Sequence, residues 1–133
     1  MGLYRARPGD GVAWITGAST GIGRSLARDL ALEGYTVCAT ARDEDRLATL
    51  VAETAGLGGR IVAFPCDVTE EAAMTQTVAA IEREVGPIAL CVFNAGTYFP
   101  TRGERLDTSN VVKTFEINLF GVIYGLVPVL ERM

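Results

Sequence analysis

Eight consecutive residues, Thr16-Gly17-Ala18-Ser19-Thr20-Gly21-Ile22-Gly23, put three glycines between an apolar run and an amphipathic one. Gly17 lets a chain reverse tightly as it leaves a strand. Gly21 and Gly23 remove side chains where backbone approaches a ligand and where helix meets sheet. The N–H groups freed at the start of the following helix, at the positive end of its dipole, then face an anion. That chemistry suits a pyrophosphate, above all that of a dinucleotide. A tight turn without a ligand is the bland alternative, and the position of the turn between strand and helix argues against it.

Four further places carry residues that could act on such a ligand. Arg42 ends the second apolar run, with Ala41 where a carboxylate would otherwise meet a ribose 2′-hydroxyl. A guanidinium there suits a 2′-phosphate, so the expected cofactor is NADP(H), with NAD less favoured. Asp43 would repel that phosphate if it turned inward. Asp67 and Glu70 have capping-box spacing, with Thr69 as an alternative cap. Asn94 lies just past the fourth apolar run, at the edge where ligands bind in open α/β sheets. Asn118 belongs to a small or polar helical stripe, Thr114, Asn118, Gly121 and Gly125, beside an apolar one of Val112, Phe115, Leu119, Val122, Leu126 and Leu130. Two glycines inside a helix cost about 1 kcal/mol each relative to alanine, so close backbone approach is expected there.

The elements that must position these residues alternate. Strands are expected at 12–16, 35–40, 60–66 and 88–93, and helices at 22–33, 44–55, from about 69 to 85, and from 108 or 109 to 130. Gly34 stops the first helix, Asp43 caps the second and Gly86-Pro87 ends the third. Alternation of this kind implies right-handed crossovers and a doubly wound Rossmann-type α/β fold. The expected sheet is parallel and incomplete, in the order 3-2-1-4. All of 1–133 then forms the N-terminal part of one nucleotide-binding domain, with no second domain.

The spacing Thr-Gly-x-x-x-Gly-x-Gly resembles the short-chain dehydrogenase/reductase family. Asp67-Val68 after the third strand, Asn94-Ala95-Gly96 after the fourth and Ile117-Asn118-Leu119 in the last helix are similar to further motifs of that family. The resemblance covers the chain except about its first ten residues. It implies cofactor contacts from Gly17, Ser19, Thr20, Gly21, Ile22, Gly23, Arg42, Asp67, Val68, Asn94, Ala95 and Gly96. It implies an active-site role for Asn118, helping to hold a water near a catalytic lysine. It also implies hydride transfer between the nicotinamide and a small-molecule carbonyl or alcohol, and a homo-oligomer, dimer or tetramer. The family's proton-transfer groups are a serine and a Tyr-x-x-x-Lys pair, and no such pair occurs in this sequence: Tyr4, Tyr35, Tyr98 and Tyr124 are followed at that spacing by Pro8, Ala39, Arg102 and Pro128. The chain resembles the N-terminal half of a longer enzyme, and these residues alone are expected to be inactive. The alternative is a non-catalytic dinucleotide-binding module or sensor.

Composition narrows the classes. With 49% hydrophobic and 21% charged residues the chain can bury a core. A net charge of −4 with scattered basic residues argues against nucleic acid as a partner. The apolar stretch 117–130 is broken by Asn118, Gly121, Gly125 and Pro128, so no membrane association is expected, and no apolar leader precedes residue 12, so a cytoplasmic location is expected. There is no histidine, and Cys38, Cys66 and Cys91 sit in strand-like runs as small buried hydrophobes, so no metal site is expected. Ile88–Phe93 carries no charge or proline to protect an edge, which predicts that the isolated chain associates or is poorly soluble.

Overall fold

The computed structural model describes residues 2–133. Four parallel strands, β1 (Val12–Thr16), β2 (Thr36–Thr40), β3 (Arg60–Ala63) and β4 (Ile88–Phe93), form one sheet in the order β3-β2-β1-β4. This is the doubly wound α/β arrangement, and it matches the expected strand order.

Side-chain alternation sends each strand's residues to two different cores. Ala13, Ile15, Val37 and Ala39 point to one face, where Ala27 and Ala31 of helix α1 (Gly21–Leu32) and Leu47 and Leu50 of helix α2 (Glu44–Glu53) cover them. Val12, Trp14 and Cys38 point to the other face, against Met74, Val78 and Ile81 of helix α3 (Glu71–Glu84). Each large side chain buried in this way stabilises the fold by about 1.5–3 kcal/mol. Trp14 is 1% exposed; its indole N–H donates to Thr40 Oγ1 at 2.9 Å, and its ring meets the edge of Phe93. Among the described residues no buried side-chain nitrogen or oxygen lacks a partner.

The helix boundaries follow local chemistry. Helix α1 ends in a Schellman arrangement, with Gly34 at φ 98°, its N–H donating to Ala31 O and the Tyr35 N–H to Leu30 O. Asp43 caps α2 by accepting from the Arg46 N–H at 3.0 Å, as expected. Neither expected cap of α3 is used. The N-cap position falls to Glu70 without a side-chain bond, because the Asp67 carboxylate is taken up by an Asx turn, accepting from Thr69 N–H (3.0 Å) and Thr69 Oγ1–H (2.8 Å).

The last helix is continuous over Thr108–Leu130, as helix α4 (Thr108–Phe115), a π-helical turn (Glu116–Phe120) and helix α5 (Gly121–Leu130). It docks by its glycine face. A Cβ on Gly121 would lie 2.8 Å from Val68 Cγ2, and one on Gly125 would lie 2.5 Å from Phe93 Cε1. The apolar stripe turns outward instead, leaving Phe115, Leu119 and Leu130 about half exposed. By length and composition alone this 23-residue helix, with a mean hydropathy of 1.3 over 18 of its residues, is long and apolar enough to cross a membrane, although Asn118, Gly121, Gly125 and Pro128 interrupt it as the sequence reading noted. Gly121, Gly125, Pro128 and Val129 are nevertheless buried against the protein.

A cleft at the ends of the strands

The C-terminal ends of β1, β2 and β4 open on a cleft of about 1320 Å³. Its floor is the glycine turn between β1 and α1. Gly17 takes φ 68° and Gly21 φ 55°, a region that side chains strain to enter. A Cβ on Gly17 would lie 2.7 Å from Ala95 Cα, whereas nothing stands within 4 Å of one on Gly21. A Cβ on Gly23 would overlap the Gly17 carbonyl oxygen and the Asn94 amide. Two of the glycines thus allow protein backbones to meet, and Gly21 leaves room above the turn.

The turn is held from both sides. The Ala18 N–H donates to Thr40 O at the end of β2. From the loop after β4, Asn94 Nδ2 donates to Gly17 O (3.1 Å) and the Ala95 N–H donates to Thr16 Oγ1 (3.2 Å). Asn94 therefore braces the turn as well as lining the cleft. Thr20 occupies the N-cap of α1 without a side-chain bond, and the first turn of α1 holds no acidic residue. The positive end of that helix is left to whatever enters the cleft. Ser19 and Thr20 line the space there, and Ile22, 81% exposed, adds an apolar contact surface.

Arg42 stands exposed at the rim beyond β2, with the buried Ala41 beneath it. Asp43 also borders the cleft, but both its oxygens turn toward α2: Oδ1 accepts from the Arg46 N–H and Oδ2 pairs with Arg46 Nε at 3.2 Å. Its charge is met by Arg46 rather than pointed at a ligand. Arg46 itself lines the cleft, which the sequence reading missed. Its only sequence signal is its place in the first turn of a helix that starts at the strand end. Asp67 and Val68 line the opposite wall, with Val68 doubling as the seat for Gly121. Ala95 and Gly96 complete it, together with Thr97, Phe99, Lys113, Glu116 and Ile117, none of which the sequence reading singled out as site residues.

Asn118 is placed differently from the other site candidates. It lies in the π-helical turn, a local form that often marks functional positions. Its side chain does not line the cleft. Oδ1 accepts from the Thr97 N–H (2.7 Å) and Nδ2 donates to Thr97 O (2.8 Å), so both polar atoms of the amide help to hold the loop after β4.

The three thiols lie apart from the cleft lining. Burial pushes Cys38 up to about 12 and Cys91 up to about 11, and raises Cys66 as well. They stay protonated at neutral pH and pack as small apolar groups.

Residues 11–133 match the family model described as short chain dehydrogenase. The chain is 38% identical over 111 residues to 2,3-dihydro-2,3-dihydroxybenzoate dehydrogenase of Bacillus subtilis (strain 168), covering 84% of this chain and 42% of that protein. An alcohol dehydrogenase from the archaeon Thermococcus sibiricus, complexed with 5-hydroxy-NADP, superposes with a TM-score of 0.86 at 33% identity over 91% of this chain and 52% of that one. A 3-oxoacyl-[acyl-carrier protein] reductase from Brucella melitensis gives 0.85 at 32% identity, over 98% and 52%. The chain spans about half the length of these relatives.

Proposed function

The chain belongs to the short chain dehydrogenase family, and from that premise we propose that it is the dinucleotide-holding part of an NADP(H)-dependent oxidoreductase. The observation that carries this reading is the pairing of an uncapped, acid-free α1 N-terminus with Arg42 at the rim and Asp43 turned away onto Arg46. The Thermococcus sibiricus relative, complexed with an NADP derivative, supports it.

The cleft fits the two anionic parts of such a cofactor. Backbone N–H groups from Ser19 to Gly23 would take the pyrophosphate, and the open space above Gly21 would let it approach. Arg42 would take the 2′-phosphate through charge-assisted bonds, with Arg46 beside it. Asp67 and Val68 would flank the adenine, and Asn94, Ala95 and Gly96 would line the path toward the reacting end. When bound, the nicotinamide supplies the hydride donor or acceptor for a carbonyl or alcohol substrate. We assign no proton-transfer group to these 133 residues. Asn118 would stand at the active-site end, as the family resemblance implies, with its side-chain amide bonded to Thr97 of the loop after β4. The exposed band of Phe115, Leu119 and Leu130 supports a homo-oligomer contact; the proposed location is the cytoplasm.

Titration of the purified protein with NADPH and NADH tests the proposal. NADPH is expected to bind more tightly, and Arg42→Gln to weaken NADPH by about tenfold while sparing NADH. NADH binding as tightly as NADPH would overturn it.

A further inference from the structure

We infer that Arg24 is a positioning residue that sets how strongly the cleft discriminates for a 2′-phosphorylated dinucleotide, acting through α2. This rests on the NADP(H) reading above.

Arg24 does not line the cleft. It sits in the first turns of α1, where its own N–H donates to Thr20 O, and its side chain is mostly covered, at 24% exposure. From there its guanidinium reaches α2 at two points. Nη1 donates to the Arg46 carbonyl near the start of α2 (3.3 Å), and Nη2 pairs at 2.5 Å with the carboxylate of Glu53, the last residue of that helix. Arg46 and Glu53 are two helical turns apart, and both bonds converge on one guanidinium because helical side chains lean back toward the N-terminus. The planar fork suits this double contact, which a single ammonium would not reproduce.

The consequence is a coupling between two parts of the cleft. Helix α1 begins at the pyrophosphate turn, while Asp43 and Arg46 at the start of α2 stand beside Arg42. Arg42 and Arg46 are exposed; the Arg46 side chain is held only by its own helix and by the N-cap Asp43, and Arg42 directly precedes that cap, so the start of α2 bears on the aim of both. A bidentate contact to phosphate is sensitive to that aim. A dinucleotide without a 2′-phosphate makes no use of it. Loosening the strut should therefore weaken NADPH and leave NADH alone, whereas general damage to the fold would weaken both.

The test is calorimetric titration of the purified protein with NADPH and NADH for wild type, Arg24→Gln, Glu53→Gln, the double variant and Arg24→Lys. Arg24→Gln and Glu53→Gln should each lower the NADPH-to-NADH affinity ratio by about three- to fivefold, with NADH changed by less than about twofold. The double variant should be no worse than either single one, and Arg24→Lys should recover part of the loss. Equal weakening of both cofactors overturns the inference. So does loss in Arg24→Gln with no loss in Glu53→Gln, which would mean that Arg24 meets the phosphate itself. If Arg24→Gln does not fold, the half-exposed Glu53→Gln decides the outcome alone. A wild type without NADPH preference removes this inference together with the NADP(H) reading, whereas a wild-type preference left intact in the variants removes this inference only.

Discussion

Around the glycine turn, backbone and short side chains from β1, β2 and the loop after β4 bond to one another: Ala18 to Thr40, Asn94 to Gly17, and Ala95 to Thr16. Along residues 108–130 the order is reversed. There, Gly121, Gly125 and Pro128 face the protein, and large apolar side chains face outward. The first region is fixed by polar ties whose partners are all supplied by this chain. The second is fixed by the absence of side chains at its contacts, and it leaves its hydrophobic area uncommitted. Binding strength should therefore respond to atoms added at the first, and stability to atoms added at the second.

The strongest way to break that contrast is Gly23→Ala. The new methyl group would collide with the Gly17 carbonyl and the Asn94 amide, displacing the turn by a few tenths of an ångström or more. Dinucleotide affinity, read by titration, is expected to fall by roughly 100-fold or more. A variant that binds normally would show that the turn is less tightly held than its bonds imply.

Next comes a neighbouring pair on α5. Gly125→Val forces atoms into Phe93 and Met74 and should cost about 1–3 kcal/mol in denaturant unfolding, despite valine's better helix propensity than glycine. Val127→Thr, at a half-exposed position two residues on, should stay within about 0.5 kcal/mol. A Val127→Thr loss as large as that of Gly125→Val would mean that the outer face is covered in solution.

The smallest effect is invisible at neutral pH. A buried thiol whose folded pKa lies above its ordinary 9.0 keeps its proton where the unfolded chain releases it, so the folded state binds more protons. The stability it contributes is fully present below pH 9 and declines as pH rises toward 11 for Cys91 and 12 for Cys38. Alkylation followed by peptide mass analysis should label Cys91, in β4, before Cys38, which is fully buried in β2. The reverse order would place the looser packing in β2 instead.

Much of the fold was readable because its signals are local. The strand order follows from four apolar runs and their crossovers, and Gly34 and Asp43 end and start their helices by the expected bonds. The misread cap of α3 has a physical cause. Asp67 can cap a helix or close an Asx turn with the same carboxylate, and the choice depends on where α3 settles against the sheet. The docking face of α5, by contrast, was legible from its glycines, whose cost inside a helix signalled close approach, and Gly121 and Gly125 are indeed buried against Val68 and Phe93. In the cleft, the glycine turn was marked by its spacing, Arg42 and Asn94 by their place at strand ends, and Asp67 and Val68 by the family resemblance. Arg46, Phe99 and Lys113 had no such mark, because they reach the cleft only after α2, the loop and α4 have been laid against the sheet.

The buried indole of Trp14 gives the protein an optical voice of its own. It is the sole tryptophan, sealed in β1 two residues before the glycine turn, with its N–H bonded to Thr40 and its ring against Phe93. Its emission therefore starts from a dry, fixed environment and shifts red only when the sheet parts. Because β1 leads directly into the turn, a reduced nicotinamide held in the cleft as proposed would take up excitation from the same fluorophore. Folding and occupancy can thus be followed from one native residue, without a label.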